Sequence, residues 1–189
     1  MRVALIDPIS TGHHVPYARG IAKGLRNAGH EPYAVGSAAW CASLSDLAQV
    51  VPLDWAPRGS ASYFERQADS RHFYRLAFFA CESNGINIAH LLYVDGALSA
   101  LVRVGIPIGM KVISTLHWYP FLGLSVRQPK QALKALQVVA ASWLLDRAGG
   151  NLVVHSIAAK KRLSRVGVSR VHAIDYPSAV SCFDVDEIG

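Results

Sequence analysis

Carboxylate, imidazole, hydroxyl and aromatic side chains gather in different combinations at four points of this 189-residue chain. They are Asp7 with Ser10-Thr11-Gly12-His13-His14, Tyr93 with Asp95, His117 with Trp118 and Tyr119, and His155 with Ser156. Imidazole and carboxylate groups can exchange protons or hydrogen-bond to hydroxyls and phosphates. His117 is the strongest functional candidate, because Trp118-Tyr119-Pro120 sets an ionisable group beside aromatic surface of the kind that packs on sugars or other rings. Each group also has a plainer role. His13 and His14 suit the start of a helix, Asp95 an N-cap, and His155 a satisfied core histidine.

The elements that must position these groups are legible from periodicity. Arg2 to Asp7 is an apolar run closed by Pro8 and Gly12, which predicts a buried strand and a loop. From about His14, Ala18, Ile21, Ala22, Leu25 and Ala28 form one apolar stripe. Arg19, Lys23, Arg26 and Asn27 take the other face, Pro16 suits the first turn, and Gly29 suits the stop. With Pro32 to Val35 this predicts a βαβ unit.

Further strands are expected at Val50 to Leu53, Ile86 to Val94, Lys111 to Leu116, Leu152 to Val154 and Arg170 to Ile174. Helices are expected at Tyr63 to Ser83, over Leu98, Leu101 and Val102, from Pro129 to Arg147, and after a Ser156 cap, with Cys41 to Leu47 a short helical or irregular connection. Pro57-Arg58-Gly59-Ser60 and the stretch holding Gly123 read as loops. Uniformly apolar strands alternating with helices predict an α/β fold, a doubly wound, mainly parallel sheet of about seven strands. In such sheets ligands bind beyond the carboxyl ends of the strands, where all four groups above fall.

Composition narrows the classes. A chain 51% hydrophobic and 17% charged is globular with a large core. Its longest apolar helical stretch, Ala135 to Leu145, is about half of a bilayer span. Asp7 and Pro8 interrupt the apolar start before it could serve as a signal peptide. Cys41, Cys81 and Cys182 are odd in number and lack CxxC spacing, so a reduced, cytoplasmic chain is expected. The net charge of +6 gathers at Lys160, Lys161, Arg162 and Arg165, and at Arg127, Lys130 and Lys134. These read first as solvated helix faces, and no nucleic-acid partner is expected. Arg127, Lys130 and Lys134 with Leu133, Leu136, Val139 and Trp143 could also form an interfacial basic helix, giving peripheral membrane contact, unless those apolar residues pack on the sheet.

Known motifs are mostly excluded. One glycine stands where the dinucleotide fingerprint has three, and no P-loop, G-x-S-x-G or H-E-x-x-H is present. A metal hydrolase using His13, His14, His117 and Asp7 or Asp95 has suitable ligand types but no supporting spacing.

The opening strand, the Thr11-Gly12-His13-His14 loop and the helix closing in Ala28-Gly29-His30-Glu31 resemble the amino-terminal half of GT-B glycosyltransferases. Val112-Ile113-Ser114-Thr115-Leu116-His117 is similar to a strand with terminal histidine in the large retaining, nucleotide-sugar-dependent family (group 1, family 4-like). Val153-Val154-His155-Ser156, Lys161-Arg162-Leu163, Gly167-Val168 and Val171 to Pro177 resemble that family's segment before the interdomain linker.

The resemblance implies a Rossmann-like acceptor-side domain over 1–178, with 179–189 a tail or the start of a linker. It implies transfer of a sugar from a nucleotide-sugar donor to the hydroxyl of a small-molecule, glycan or lipid acceptor, with retention and no metal requirement. His117 would be catalytic, and Gly12, His13, His14, Tyr93, Asp95 and Trp118 would bind substrate. The family's donor site with its paired glutamates has no counterpart in this sequence, so a donor domain or donor-binding subunit would be the partner. The alternative is a non-catalytic carbohydrate- or partner-binding module of the same fold.

Overall fold

Side-chain burial along the first strand shows how the sheet is covered. In β1 (Arg2–Ile6), Ala4 and Ile6 belong to one apolar core and Leu5 to a second on the opposite face. In β2 (Glu31–Gly36), Tyr33 and Val35 join the first core and Ala34 the second. This two-residue alternation, apolar on both sides, is what a doubly covered sheet requires. The computed structural model describes residues 1–56, 62–117, 119 and 129–174.

The remaining strands are β3 (Gln49–Pro52), β4 (Ile88–Leu91), β5 (Lys111–Leu116), β6 (Asn151–Val154) and β7 (Val171–Ala173). All pairs are parallel, in the order β3-β2-β1-β4-β5-β6-β7. The helices α1 (His14–Asn27) and α2 (Ala38–Leu44) supply the second core. Helices α3 (Tyr63–Ser83), α4 (Leu98–Val104), α5 (Pro129–Arg147) and α6 (Ile157–Arg165) supply the first. The predicted α/β, doubly wound sheet of seven strands is the observed one.

Three local expectations need correction. The fourth strand is shorter than Ile86 to Val94: Leu92 and Val94 still donate to the Ile6 and Thr115 carbonyls, but outside the regular ladder. Asp95 does not cap α4, whose N-cap is Ala97 without a side-chain bond; its carboxylate accepts the His117 N–H at 2.8 Å instead. The alternative that the apolar residues of α5 pack on the sheet holds only in part. Ala135, Val138, Ala141 and Leu145 are buried, while Leu133, Leu136 and Trp143 are exposed and Val139 is partly buried. Among the described residues no helix is long and apolar enough to cross a membrane. The Pro57 to Ser60 loop, Trp118, Gly123, Arg127, the Lys130 side chain, Cys182 and the segment from 175 onward lie outside the described residues.

Candidate active site

The βαβ turn sets the first pair of groups. β1 runs out into Asp7, whose fully buried carboxylate accepts the Ile9 N–H at 2.8 Å and the His14 Nδ1–H at 2.8 Å. Gly12 allows the intervening turn, because its φ of +64° lies where side chains with a Cβ are strained. His13 is the N-cap of α1, without a side-chain capping bond, and His14 opens the helix. Burial pushes the Asp7 carboxyl upward from its ordinary value, opposed by the His14 hydrogen bond and the Ile9 N–H. With Nδ1 committed to Asp7, Nε2 is the His14 nitrogen left for a ligand.

A pile of rings continues from this pair across the strand ends. Tyr93 lies between His14 and His117, each 3.8 Å away between ring centroids, the His117 ring stacked within 10° of parallel. Both faces of Tyr93 are therefore covered, so it fixes the two imidazoles and offers a ligand only its edge. His13 meets Tyr93 edge-on at 5.3 Å. Tyr17, one turn after His14 on α1, meets His117 and His155 edge-on at 5.2 and 5.7 Å.

His117 is held from two sides. Its backbone N–H donates to Asp95, and its Nε2–H donates to the Leu92 carbonyl at 3.0 Å, which sets the tautomer. Burial and the neighbouring His155, His13 and His14 bring its pKa down to about 4, against the Leu92 carbonyl, so the ring is neutral near pH 7. His155 completes the array. Its backbone N–H donates to the Tyr119 hydroxyl at 2.6 Å, its Nδ1–H to the Ile174 carbonyl at 3.3 Å, and its Nε2 accepts from Tyr17 at 3.3 Å.

A cleft of about 750 Å³ opens over these groups. His13, His14, Tyr93, Asp95 and His117 line one side, and Tyr63, Arg66, Gln67 and Ser70 of α3 with Lys134, Gln137 and Val138 of α5 line the others. The volume is that of a small-molecule site. Among the described residues no three His, Cys, Asp or Glu side chains are arranged to hold a metal ion.

The structure thus brings His13, His14, Tyr93, Asp95 and His117 together and leaves Trp118 undescribed. Gly12 shapes the loop, and an added Cβ there would meet no atom within 4 Å. The Asp7–His14 pairing and the cleft-lining parts of α3 and α5 were not anticipated from the sequence. Tyr17 had one usable signal, its three-residue spacing from His14 on a helix. Arg66, Gln67 and Lys134 had none, since polar residues inside helices read as solvated faces.

Comparison with solved structures settles the architecture. A structure of sucrose-phosphate synthase from Thermosynechococcus elongatus superposes with a TM-score of 0.57 at 13% identity, over 96% of this chain and 95% of that one. A longer structure of that synthase gives 0.60 at 15%, over 92% and 47%. Phytolacca americana apo UGT2 gives 0.62 at 13%, over 92% and 51%. The fold is that of a GT-B glycosyltransferase domain. No protein-family model and no curated protein sequence matches the chain. The chain spans about half the length of the two longer structures, and its cleft lies at the carboxyl ends of the strands, where open α/β sheets bind ligands.

Proposed function

We propose that this chain is the acceptor-side domain of a glycosyltransferase, working with a donor-binding domain or subunit that holds a nucleotide sugar. The observation that carries this reading is the Asp7–His14 pair on the wall of a cleft of small-molecule size. A carboxylate that fixes an imidazole's tautomer leaves the far nitrogen as an acceptor, the arrangement of a general base.

In the proposed reaction an acceptor hydroxyl attacks the anomeric carbon of the donor. The new C–O bond forms as the bond to the diphosphate breaks, the diphosphate leaves with the electron pair, and the hydroxyl proton passes to His14 Nε2. Tyr93 holds the His14 and His117 rings, and neutral His117 lines the cleft as a hydrogen-bonding group. Holding the hydroxyl against the base supplies the proximity term; stabilising the departing diphosphate falls to the donor side.

The route of the proton sets the stereochemistry. A base on the acceptor side supports a single displacement, which inverts the anomeric carbon. Retention, which the family resemblance implies, would need either front-face attack with the departing phosphate taking the proton, or two successive displacements through a covalent intermediate. The configuration of the product, read by NMR, separates the two. Peripheral membrane contact through the exposed Leu133, Leu136 and Trp143 is part of the proposal for a lipid acceptor. Failure of the chain to co-sediment with anionic vesicles at low salt would remove that part.

The intact mass of the polypeptide from its own source tests the reading against a lone binding module. A mass near twice 20.4 kDa, with a nucleotide-sugar site in the added half, is the expected result. A 20.4 kDa protein that purifies without a donor-binding partner would overturn it.

A further inference from the structure

The walls of the cleft differ chemically from its floor. Arg66 of α3 and Lys134 of α5 reach it from different helices, both packed against α4. Among the described lining residues the one carboxylate is Asp95, and its Oδ1 accepts the His117 N–H. Gln67, whose amide donates to the Gly96 carbonyl at 2.7 Å, braces α3 against the Asp95-Gly96 turn and so holds the Arg66 wall in place.

Guanidinium and ammonium groups supply five and three donors and no acceptor. Both side chains also make contacts within the protein. Two cations lining one concavity raise the local potential for anions, and a neutral polyol would not compensate it.

We propose that the acceptor bound in this cleft carries an oxyanion, a phosphate or carboxylate, held between Arg66 and Lys134 while its reacting hydroxyl lies at His14. This rests on the acceptor-side reading above and narrows it to an anionic acceptor. The same chemistry could serve the donor's diphosphate. The acceptor is favoured because both cations line the same cleft as His14, where this reading places the acceptor's reacting hydroxyl.

The test is titration of the 189-residue chain with inorganic phosphate, followed by amide NMR and calorimetry, for wild type, Arg66→Gln, Lys134→Gln and the double variant. Both positions are exposed, so the variants should fold, and circular dichroism checks this. Phosphate is expected to shift resonances around the cleft. Each substitution should weaken binding about tenfold, the scale of one charge-assisted hydrogen bond, and uridine diphosphate should not displace it. No binding, or binding indifferent to both substitutions, would overturn the proposal. Displacement by uridine diphosphate would assign the cations to the donor and overturn the anionic acceptor. None of these results depends on sugar transfer, so the site can fail while the glycosyltransferase reading stands, and the reverse.

Discussion

Asp7→Asn is the substitution that separates what the buried carboxylate does for the site from what it does for the fold. Asparagine keeps the shape but has one acceptor oxygen and one NH₂ group. The Ile9 N–H can only donate, so the amide oxygen must stay there, and the NH₂ is turned toward His14. His14 Nδ1 must then accept, its proton moves to Nε2, and the nitrogen left for a substrate changes from acceptor to donor. Both hydrogen bonds survive and a buried charge is removed, so stability at pH 7 should stay within about 1 kcal/mol of wild type. In the complete enzyme turnover should fall by a factor on the order of a hundred or more, since a base in the wrong tautomer cannot take the hydroxyl proton. The tautomer is readable in this chain alone, from the imidazole ¹⁵N shifts of His14 in long-range correlation spectra. His14 still protonated on Nδ1 in a folded Asp7→Asn variant would refute the reasoning.

The same variant carries a pH signature. Because burial raises the folded pKa of Asp7 above its ordinary 3.8, the native state holds that proton more tightly, and its stabilisation is lost as pH rises from about 3.8 to the folded value. The melting temperature of Asp7→Asn relative to wild type should therefore rise over that interval. His90 acts in the opposite direction: it is buried against Thr115 and its pKa falls from 6.5 to about 4, chiefly through desolvation. Stability should drop by up to about 3 kcal/mol as pH falls through that window, and His90→Gln should narrow the difference between urea midpoints at pH 7 and pH 5. Gly36→Ala would place a Cβ 2.7 Å from the fully buried Trp40 ring and 3.2 Å from the Asp7 carbonyl. A loss of about 1–3 kcal/mol in urea unfolding is expected. Ser62→Ala removes the capping box that starts α3 and should cost about 1 kcal/mol in the same assay.

The alternation of apolar strands with 3.6-period helices made the architecture legible, because both signals are local. Lys111 to Leu116 and Tyr63 to Ser83 read from sequence with the bounds later found. The fourth strand did not. An apolar run continues through Val94, but only the tertiary structure determines where it leaves the ladder to carry Tyr93 over the strand ends. One wall of the cleft was legible because His13, His14, Tyr93, Asp95 and His117 all follow strands, and parallel topology brings such points together. What sequence could not show is pairing: Asp7 with His14 instead of a metal, and Asp95 with the His117 N–H instead of α4. Nor could it show that Arg66 and Lys134 turn toward a cleft, since that depends on how α3 and α5 pack around α4.

The most direct measurement is nucleotide-sugar turnover by the native protein in its complete form. Release of nucleoside diphosphate would be followed across uridine, guanosine and thymidine diphosphate sugars, for wild type and His14→Ala. Acceptor-dependent consumption of one donor, lost in a folded His14→Ala variant, is the predicted result. A complete, folded protein that consumes none of these donors, or a His14→Ala variant with wild-type turnover, would contradict the account.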